Sequence, residues 1–247
     1  TISIVLIILI GRILFFLSDK ILSIAENEDF IFSHIDELGS IVSKNYMEKH
    51  LEMILSLSNV NIDQVKSANF KVVVDAVNSS GGIYLPALLR KMGVDVVELH
   101  CTPNGHFPHN PEPLPEHLNE ICELVVSSAS NLGFVVDPDV DRLAIVCEDG
   151  SLFGEEYTLV AVADHVLKTK KGDTVSNLSS SRALKDVSDK HGVNYHASAV
   201  GEVNVVEKMK EVNSPIGGEG NGGIIYPELH YGRDSLVGVA LFLTHLA

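Results

Sequence analysis

The chain has 247 residues, of which 45% are hydrophobic and 21% are charged, a composition typical of one large or two medium globular domains. The formal net charge of −15 argues against a nucleic acid or an anionic membrane surface as partner, and it favours a cytoplasmic protein. Cys101, Cys122 and Cys147 form no CxxC pair, so they indicate neither a disulfide framework nor a zinc site.

The amino-terminal segment 2–17 is apolar except for Ser3, Gly11 and Arg12. A membrane-spanning helix needs about 20 apolar residues, and this run is shorter and carries a charge. A signal peptide would have a basic stretch before the run and a small-residue cleavage site after it, and neither is present. Because the chain also begins with Thr, we expect the run to be core of a truncated domain in a larger protein. A membrane segment is the alternative.

The first half of the chain alternates helix and strand patterns, which is typical of an α/β module. An amphipathic helix pattern with four apolar positions on one face precedes a β-branched run, a glycine turn and a further helix. The predicted elements are a helix within 45–57, a strand at 70–77, a turn at 78–82, a helix at 83–93, a strand at 94–100, a helix at 114–129, and strands at 133–137 and 142–150.

The same alternation begins again after residue 153, so the sequence predicts a second α/β unit. The pattern contains no low-complexity segment and no long linker. Its predicted elements are helices at 157–169, 182–191, 202–212 and 234–246, strands at 173–178 and 193–198, and a strand–loop–strand unit at 216–227.

Three carboxylates, Asp137, Asp139 and Asp141, occupy alternate positions between two apolar runs. At about 4 Å each pair of charges repels by roughly 1 kcal/mol in water and about 4 kcal/mol near a protein surface. Alternate residues of an extended segment point the same way, so the three side chains can converge on one cation. Oxygen ligands alone favour Mg²⁺ or Ca²⁺. The alternative is an acidic surface turn without a metal.

A helix–loop–helix calcium site has a related pattern, with an acidic residue at the twelfth position, where this chain has Glu148. The sixth position of that loop requires glycine, but Arg142 stands there. Pro138 at the second position and predicted strands on both sides also disagree with it, so we exclude this interpretation.

Two further features point to a phosphorylated sugar. Arg142 directly follows the carboxylates, which suggests that the metal ion and the Arg142 guanidinium bind one phosphate. The alternative role of Arg142 is a salt bridge to neighbouring acids.

Five glycines surround Glu219 and Asn221 in the loop 217–223. Such a loop lets the backbone approach a ligand closely, and a carboxylate with an amide suits paired hydroxyls. A plain hairpin turn is the alternative.

These motifs resemble those of the α-D-phosphohexomutases, a family that includes phosphoglucomutases, phosphomannomutases and phosphoglucosamine mutases. The motif DPDVDR (137–142) is similar to the family's metal loop, and GGEGNGG (217–223) to its sugar loop. FPHNPEP (107–113) and YGRDSLVG (231–238) match as well, so the resemblance covers roughly 45–247.

The resemblance implies an α/β fold class: two consecutive α/β domains with mixed sheets flanked by helices, plus the tail of a preceding α/β domain. It divides the chain into a remnant of the first domain with a linker (1–45), a second domain with the metal loop (46–153) and a third domain with the sugar-binding loop (154–247).

The resemblance also implies an activity: the Mg²⁺-dependent transfer of a phosphoryl group between C1 and C6 of a hexose phosphate. The transfer passes through a phosphoserine and a bisphosphate. No membrane or nucleic acid is expected as partner. The implied site residues are Asp137, Asp139 and Asp141 for Mg²⁺, Arg142 for the phosphate of the phosphoserine or substrate, and Glu219 and Asn221 for the sugar hydroxyls.

Several departures from the family pattern limit this expectation. The Thr-Ala-Ser-His-Asn-Pro loop of the nucleophile does not occur, because Pro108 precedes His109-Asn110-Pro111 where serine should stand. The serines 179–181 more plausibly cap a helix. Asn221 replaces a common serine, and the family's fourth domain would follow Ala247. We therefore expect the chain alone to be inactive.

Two other classes of function stay open at this stage. The chain could be a non-catalytic sugar-phosphate or metal-binding module that lacks the outer domains. A nucleotide-binding domain would use the glycine turn after the strand 70–77, but the sequence contains no G-x-G-x-x-G motif.

Overall fold

The computed structural model describes residues 20–247, so our prediction for segment 2–17 lies outside the described residues. Two units are distinguished, Thr1–Asn45 and Tyr46–Ala247. In the described part of the first unit, residues 20–26 are helical and Ile35–Glu37 form a 3₁₀ turn. Among the described helices, none is both long and apolar enough to cross a membrane.

The second unit contains two α/β modules that follow one another in the chain. The first module comprises α1 (Met47–Leu55), α2 (Ile62–Ala68), β1 (Lys71–Asp75), α3 (Gly81–Lys91), β2 (Asp95–Leu99), a 3₁₀ turn (Pro115–His117), α4 (Asn119–Ser127), β3 (Leu132–Val136) and β4 (Leu143–Cys147). The second comprises α5 (Glu155–Thr169), β5 (Thr174–Asn177), α6 (Ala183–His191), β6 (Tyr195–Ser198), α7 (Glu202–Val212), β7 (Ile216–Glu219), β8 (Gly223–Ile225) and α8 (Ser235–Leu246).

The two modules have the same sheet topology. The strand order is β2-β1-β3-β4 in the first sheet and β6-β5-β7-β8 in the second. In each sheet the first three strands are parallel and the fourth runs antiparallel to the third. The predicted fold class, two consecutive α/β modules with mixed sheets flanked by helices, is therefore confirmed.

Helix α8 joins the cores of the two modules. Its residues 235–244 are buried, which agrees with its uniformly apolar sequence. The ring of Phe242 packs edge-on against Phe134 of β3 at 6.2 Å and against Phe153 at 5.5 Å, measured between centroids. Ile224 of β8 belongs to the same buried cluster. The modules thus share one hydrophobic core, which fixes the loops at their sheet edges relative to one another.

Asp234 caps the amino terminus of α8 and ties it to α1. Its Oδ1 atom accepts hydrogen bonds from the backbone amides of Leu236 at 2.8 Å and Val237 at 3.2 Å. Its Oδ2 atom bonds His50 Nε2 at 2.9 Å and His230 Nε2 at 3.1 Å. Burial opposes ionisation of Asp234, but the hydrogen bonds from the two imidazoles lower its pKa to about 2. The hydrogen bond to Asp234 raises the pKa of His50.

We predict that the contribution of His50 to stability depends on pH. A raised pKa stabilises the folded state fully below the ordinary value of 6.5, and this stabilisation is lost as the pH rises through the raised value. In the His50→Gln variant a neutral donor replaces the imidazolium. Its free energy of unfolding should fall below that of the wild type in acid, and the difference should shrink with rising pH. Urea denaturation between about pH 5 and about pH 9 measures this.

The matched control is His117→Gln, in a 3₁₀ turn remote in sequence from α1 and α8. It should show no such pH-dependent difference. A difference between wild type and His50→Gln that stays constant across the pH range would show that packing, not charge, accounts for the effect of His50.

Candidate active site

The loop 137–142, which contains the predicted metal ligands and is called the metal loop below, connects β3 to β4. It forms a tight turn, which corrects our expectation of an extended segment. Val140 has a φ of +61°, in the left-handed region that β-branched residues disfavour. The carboxylate Oδ1 of Asp137 accepts hydrogen bonds from the amides of Asp141 and Arg142, both at 3.0 Å. These bonds wrap the loop around its first carboxylate, so convergence of the aspartates comes from the turn and not from strand alternation.

The turn brings Asp137, Asp139 and Asp141 together. One carboxylate oxygen from each lies within 4.8 Å of the others, with Asp137 buried and Asp139 exposed. Burial and then the neighbouring charge of Asp137 raise the pKa of Asp141 to about 7, although Arg233 opposes the shift. Burial also raises the pKa of Asp137. A hard divalent cation would relieve this repulsion, and an all-oxygen donor set of this kind fits Mg²⁺.

Arg142 lies at the edge of this loop and is paired with two acids. Its Nη1 atom bonds the Glu112 carboxylate, and its Nε atom lies 3.7 Å from Asp137 Oδ2. Glu112 belongs to the loop 107–113. The Arg142 side chain is 30% exposed, so an anion approaching the carboxylate cluster can reach it.

The glycine-rich loop 217–223, which contains the predicted sugar ligands and is also called the sugar loop below, includes the hairpin turn between β7 and β8. Glu219 ends β7 and is buried, and its Oε1 atom accepts a hydrogen bond of 2.7 Å from Asn177 Nδ2. Asn221 lies at the tip of the hairpin, where its Oδ1 atom accepts the amide of Gly223 at 3.2 Å. The loop therefore presents a fixed carboxylate and an amide next to each other.

The serine run supports the glycine-rich loop as well as the following helix. The hydroxyls of Ser179 and Ser180 donate to Asn177 Oδ1 at 3.0 and 2.7 Å. Ser180 Oγ also accepts the amide of Gly220 at 2.9 Å. The N-cap residue of α6 is Arg182 and not a serine, although the Ser181 hydroxyl just before it accepts the first amide of α6 at 3.3 Å.

Arg233 connects the two loops. Its Nη2 atom bonds Asp141 Oδ2, and its Nη1 atom donates to Glu219 Oε2 at 2.9 Å. Its Nε atom donates to Glu202 Oε2 at 3.2 Å, and its backbone amide to Glu202 Oε1 at 3.3 Å. The Arg233 side chain is 15% exposed, and its guanidinium bonds a predicted metal ligand and a predicted sugar ligand at once.

A close backbone approach also joins the loops. Gly222 has a φ of +82°, and a Cβ atom at this position would lie 2.2 Å from the carbonyl oxygen of Leu143. Leu143 is the first residue of β4, directly after the metal loop. Only glycine therefore allows the tip of the glycine-rich loop to lie this close to the metal loop.

A cleft of about 300 Å³ opens beside the metal loop. Among its lining residues are Asp139, Arg233, His50 and His230. A ligand at the carboxylate cluster would thus have space on the side of the loop that faces the amino terminus of α8.

Sequence reasoning assigned no role to Glu112, Asn177, Glu202 or Arg233. Two features of the sequence pointed to a role for two of them. Arg233 lies in the YGRDSLVG motif (231–238), and Asn177 lies at the end of a strand. Polar residues at the carboxyl ends of parallel strands commonly line binding sites. Their partners, however, are distant in the sequence, and only the folded chain identifies them.

Comparison with known proteins gives two matching family models. Residues 45–150 match the phosphoglucomutase/phosphomannomutase alpha/beta/alpha domain II, and residues 154–247 match domain III. A phosphoglucomutase/phosphomannomutase of Thermococcus kodakarensis is 34% identical over 216 residues, which cover 87% of this chain and 47% of the relative. A phosphomannomutase/phosphoglucomutase of Pseudomonas putida is 32% identical over 177 residues, which cover 70% and 38%.

A solved structure agrees in fold. The phosphoglucomutase/phosphomannomutase family protein of Burkholderia thailandensis superposes with a TM-score of 0.78 at 24% identity, covering 92% of this chain and 48% of that one. The chain therefore spans about half the length of the relatives it matches. With two consecutive domains matched, the chain belongs to the phosphoglucomutase/phosphomannomutase family of α-D-phosphohexomutases.

Proposed function

We propose that this chain forms the metal- and sugar-binding part of a phosphohexomutase. In the proposed reaction a phosphoryl group moves between C1 and C6 of a hexose phosphate, through a phosphoserine and a bisphosphate. The observation that carries the proposal is the double contact of Arg233 with Asp141 and Glu219, because it makes the metal loop and the sugar loop parts of one site.

In this proposal the first half of the site holds the transferred phosphoryl group. Asp137, Asp139 and Asp141 would bind Mg²⁺, which when bound neutralises charge developing on that group. Arg142 would exchange part of its pairing with Glu112 for the phosphate, since its guanidinium is accessible.

The second half of the site would orient the sugar. Glu219, fixed by Asn177 and Arg233, would accept hydrogen bonds from two hydroxyls. The Oδ1 atom of Asn221 is used by the amide of Gly223, so the side chain would offer its NH₂ group to a sugar oxygen. Holding the sugar in one orientation would place one end near the phosphoryl group and lower the entropic part of the barrier, and the other end would follow after the bisphosphate turns over in the site.

The domain division is part of the proposal. Residues 46–153 would act as the second domain and 154–247 as the third, with 1–45 as the remnant of the first. The cytoplasm, where hexose phosphates are metabolised, is the proposed location. Glucose, mannose and glucosamine phosphates all carry hydroxyls that this loop could bind, so the hexose is to be identified by an activity panel on the full-length protein.

The first prediction of this proposal concerns Asp139. The Asp139→Asn variant should bind Mg²⁺ at least about tenfold more weakly, because a neutral amide replaces one of three charged ligands. Isothermal titration calorimetry on the 247-residue chain measures the affinity. Asp186→Asn, an exposed change on α6, is the control and should leave it unaltered. Equal affinity in both variants would mean that Mg²⁺ binds elsewhere.

The second prediction concerns Glu219. In the full-length protein, Glu219→Ala should raise KM and lower kcat/KM about ten- to a hundredfold, since a hydrogen bond to a charged group contributes about 1.5–3 kcal/mol. A coupled assay with glucose 1-phosphate and mannose 1-phosphate measures both constants. The control is Glu207→Ala on α7, an exposed position. Wild-type kinetics for Glu219→Ala would reduce the loop to a structural role.

The third prediction is that the 247-residue chain alone does not turn over hexose phosphates. Phosphoryl transfer requires a nucleophile in line with phosphorus, and this sequence contains no Thr-Ala-Ser-His-Asn-Pro motif. The assay supplies glucose 1-phosphate, Mg²⁺ and glucose 1,6-bisphosphate as primer. Turnover above the enzyme-free background would contradict the prediction, and Ser179→Ala and Ser180→Ala would then locate the nucleophile.

A further inference from the structure

A second group of potential metal ligands lies at the carboxyl edge of the first sheet. Asp75 ends β1, and His100 directly follows β2, whose last residue Leu99 is the register partner of Asp75. His109 reaches the same point from the loop after β2. Three residues remote in sequence thus meet at the ends of adjacent parallel strands.

The three side chains converge on one carboxylate oxygen. Asp75 Oδ2 lies 3.2 Å from His100 Nδ1 and 3.0 Å from His109 Nε2. The side chains are 2%, 16% and 15% exposed for Asp75, His100 and His109. Ligands about 2.0–2.1 Å from a tetrahedral metal are about 3.3 Å apart, so the O···N separations are close to those of a coordination shell.

The outward nitrogens of both imidazoles face acceptors. His109 Nδ1 lies 2.8 Å from the carbonyl oxygen of Asn110 and therefore donates its proton there. In the neutral imidazole the lone pair is then on Nε2, facing an Asp75 oxygen that also carries lone pairs. His100 Nε2 lies 3.5 Å from Glu120 Oε2. Metal-bound histidines commonly hold their second nitrogen in this way, with a carbonyl or carboxylate as partner.

A similar trio elsewhere in the chain lacks this arrangement. In the group formed by His50, His230 and Asp234, the amide of Gly232 donates to His230 Nδ1 at 3.0 Å. His230 therefore carries its proton on Nε2, which donates to Asp234. That trio satisfies His230 without a further cation, whereas a neutral His109 faces Asp75 with acceptor against acceptor unless a proton or a metal ion lies between them.

We propose that Asp75, His100 and His109 form a second cation site, distinct from the aspartate loop, for a borderline divalent metal of the Zn²⁺ class. Two imidazole nitrogens and one carboxylate oxygen are a donor set that suits zinc and disfavours Mg²⁺. The site has a structural consequence: His109 and Glu112 lie in one short loop, and Glu112 holds Arg142. A metal here would anchor the segment that positions Arg142.

The test measures Zn²⁺ binding to the 247-residue chain by competition with a chromophoric chelator, and Co²⁺ binding by visible absorption. Wild type should bind one equivalent of Zn²⁺ with His100 and His109 as ligands. His100→Ala and His109→Ala should each weaken binding at least about tenfold, because each removes a ligand. His106→Ala, in the same loop but outside the trio, and Asp139→Asn should retain the site.

Two results would overturn the proposal. One is equal Zn²⁺ affinity in wild type, His100→Ala and His109→Ala. The other result comes from nitrogen NMR of the wild-type imidazoles with saturating Zn²⁺. This measurement does not depend on whether the variants fold. If His100 and His109 remain doubly protonated there, the cation between Asp75 and the imidazoles is a proton and the trio is an ion-pair cluster.

Discussion

The geometry of the site depends on the guanidinium of Arg233. Asp141 lies in the loop between β3 and β4, Glu202 begins α7 and Glu219 ends β7, and the charges of these three residues would repel one another without a shared cation. Arginine suits this position because its planar fork bonds several carboxylates in different directions and stays charged when partly buried. A lysine ammonium would supply the charge but not the fixed directions. Arg233 therefore links the metal loop and the sugar loop directly, in addition to the shared core and the close approach at Gly222.

The repeated sheet topology explains why the two loops can meet. Each is the hairpin between the third and fourth strands of its sheet, β3–β4 for the metal loop and β7–β8 for the sugar loop. Helix α8 packs both sheets into one core, and Gly222 lets the second hairpin lie against the start of β4. Two equivalent turns, one from each module, are thus brought together by packing.

The sequence predicted the elements well and the tertiary contacts poorly, for physical reasons. A continuous β-branched run predicted β1 and a continuous apolar run predicted α8, because both elements are buried along nearly their whole length. The alternating aspartates suggested an extended segment, since nothing in the pattern reveals a left-handed Val140. Arg233 lies 92 positions from Asp141 and 31 from Glu202, and such pairings follow from packing and not from local pattern. The sequence did predict that the three aspartates converge, and the turn brings their carboxylates within 4.8 Å of one another.

The last residue of the central strand distinguishes the two modules. Strands β1 and β5 occupy equivalent places in their sheets, and they end at Asp75 and Asn177. Asn177 is neutral and can donate, so it bonds the buried carboxylate of Glu219 directly. Asp75 can only accept when ionised, and its Oδ1 atom accepts the backbone amide of Val77 while its Oδ2 atom faces two imidazole nitrogens. One change from amide to carboxylate therefore makes one strand end a support for the sugar loop and the other a candidate cation site.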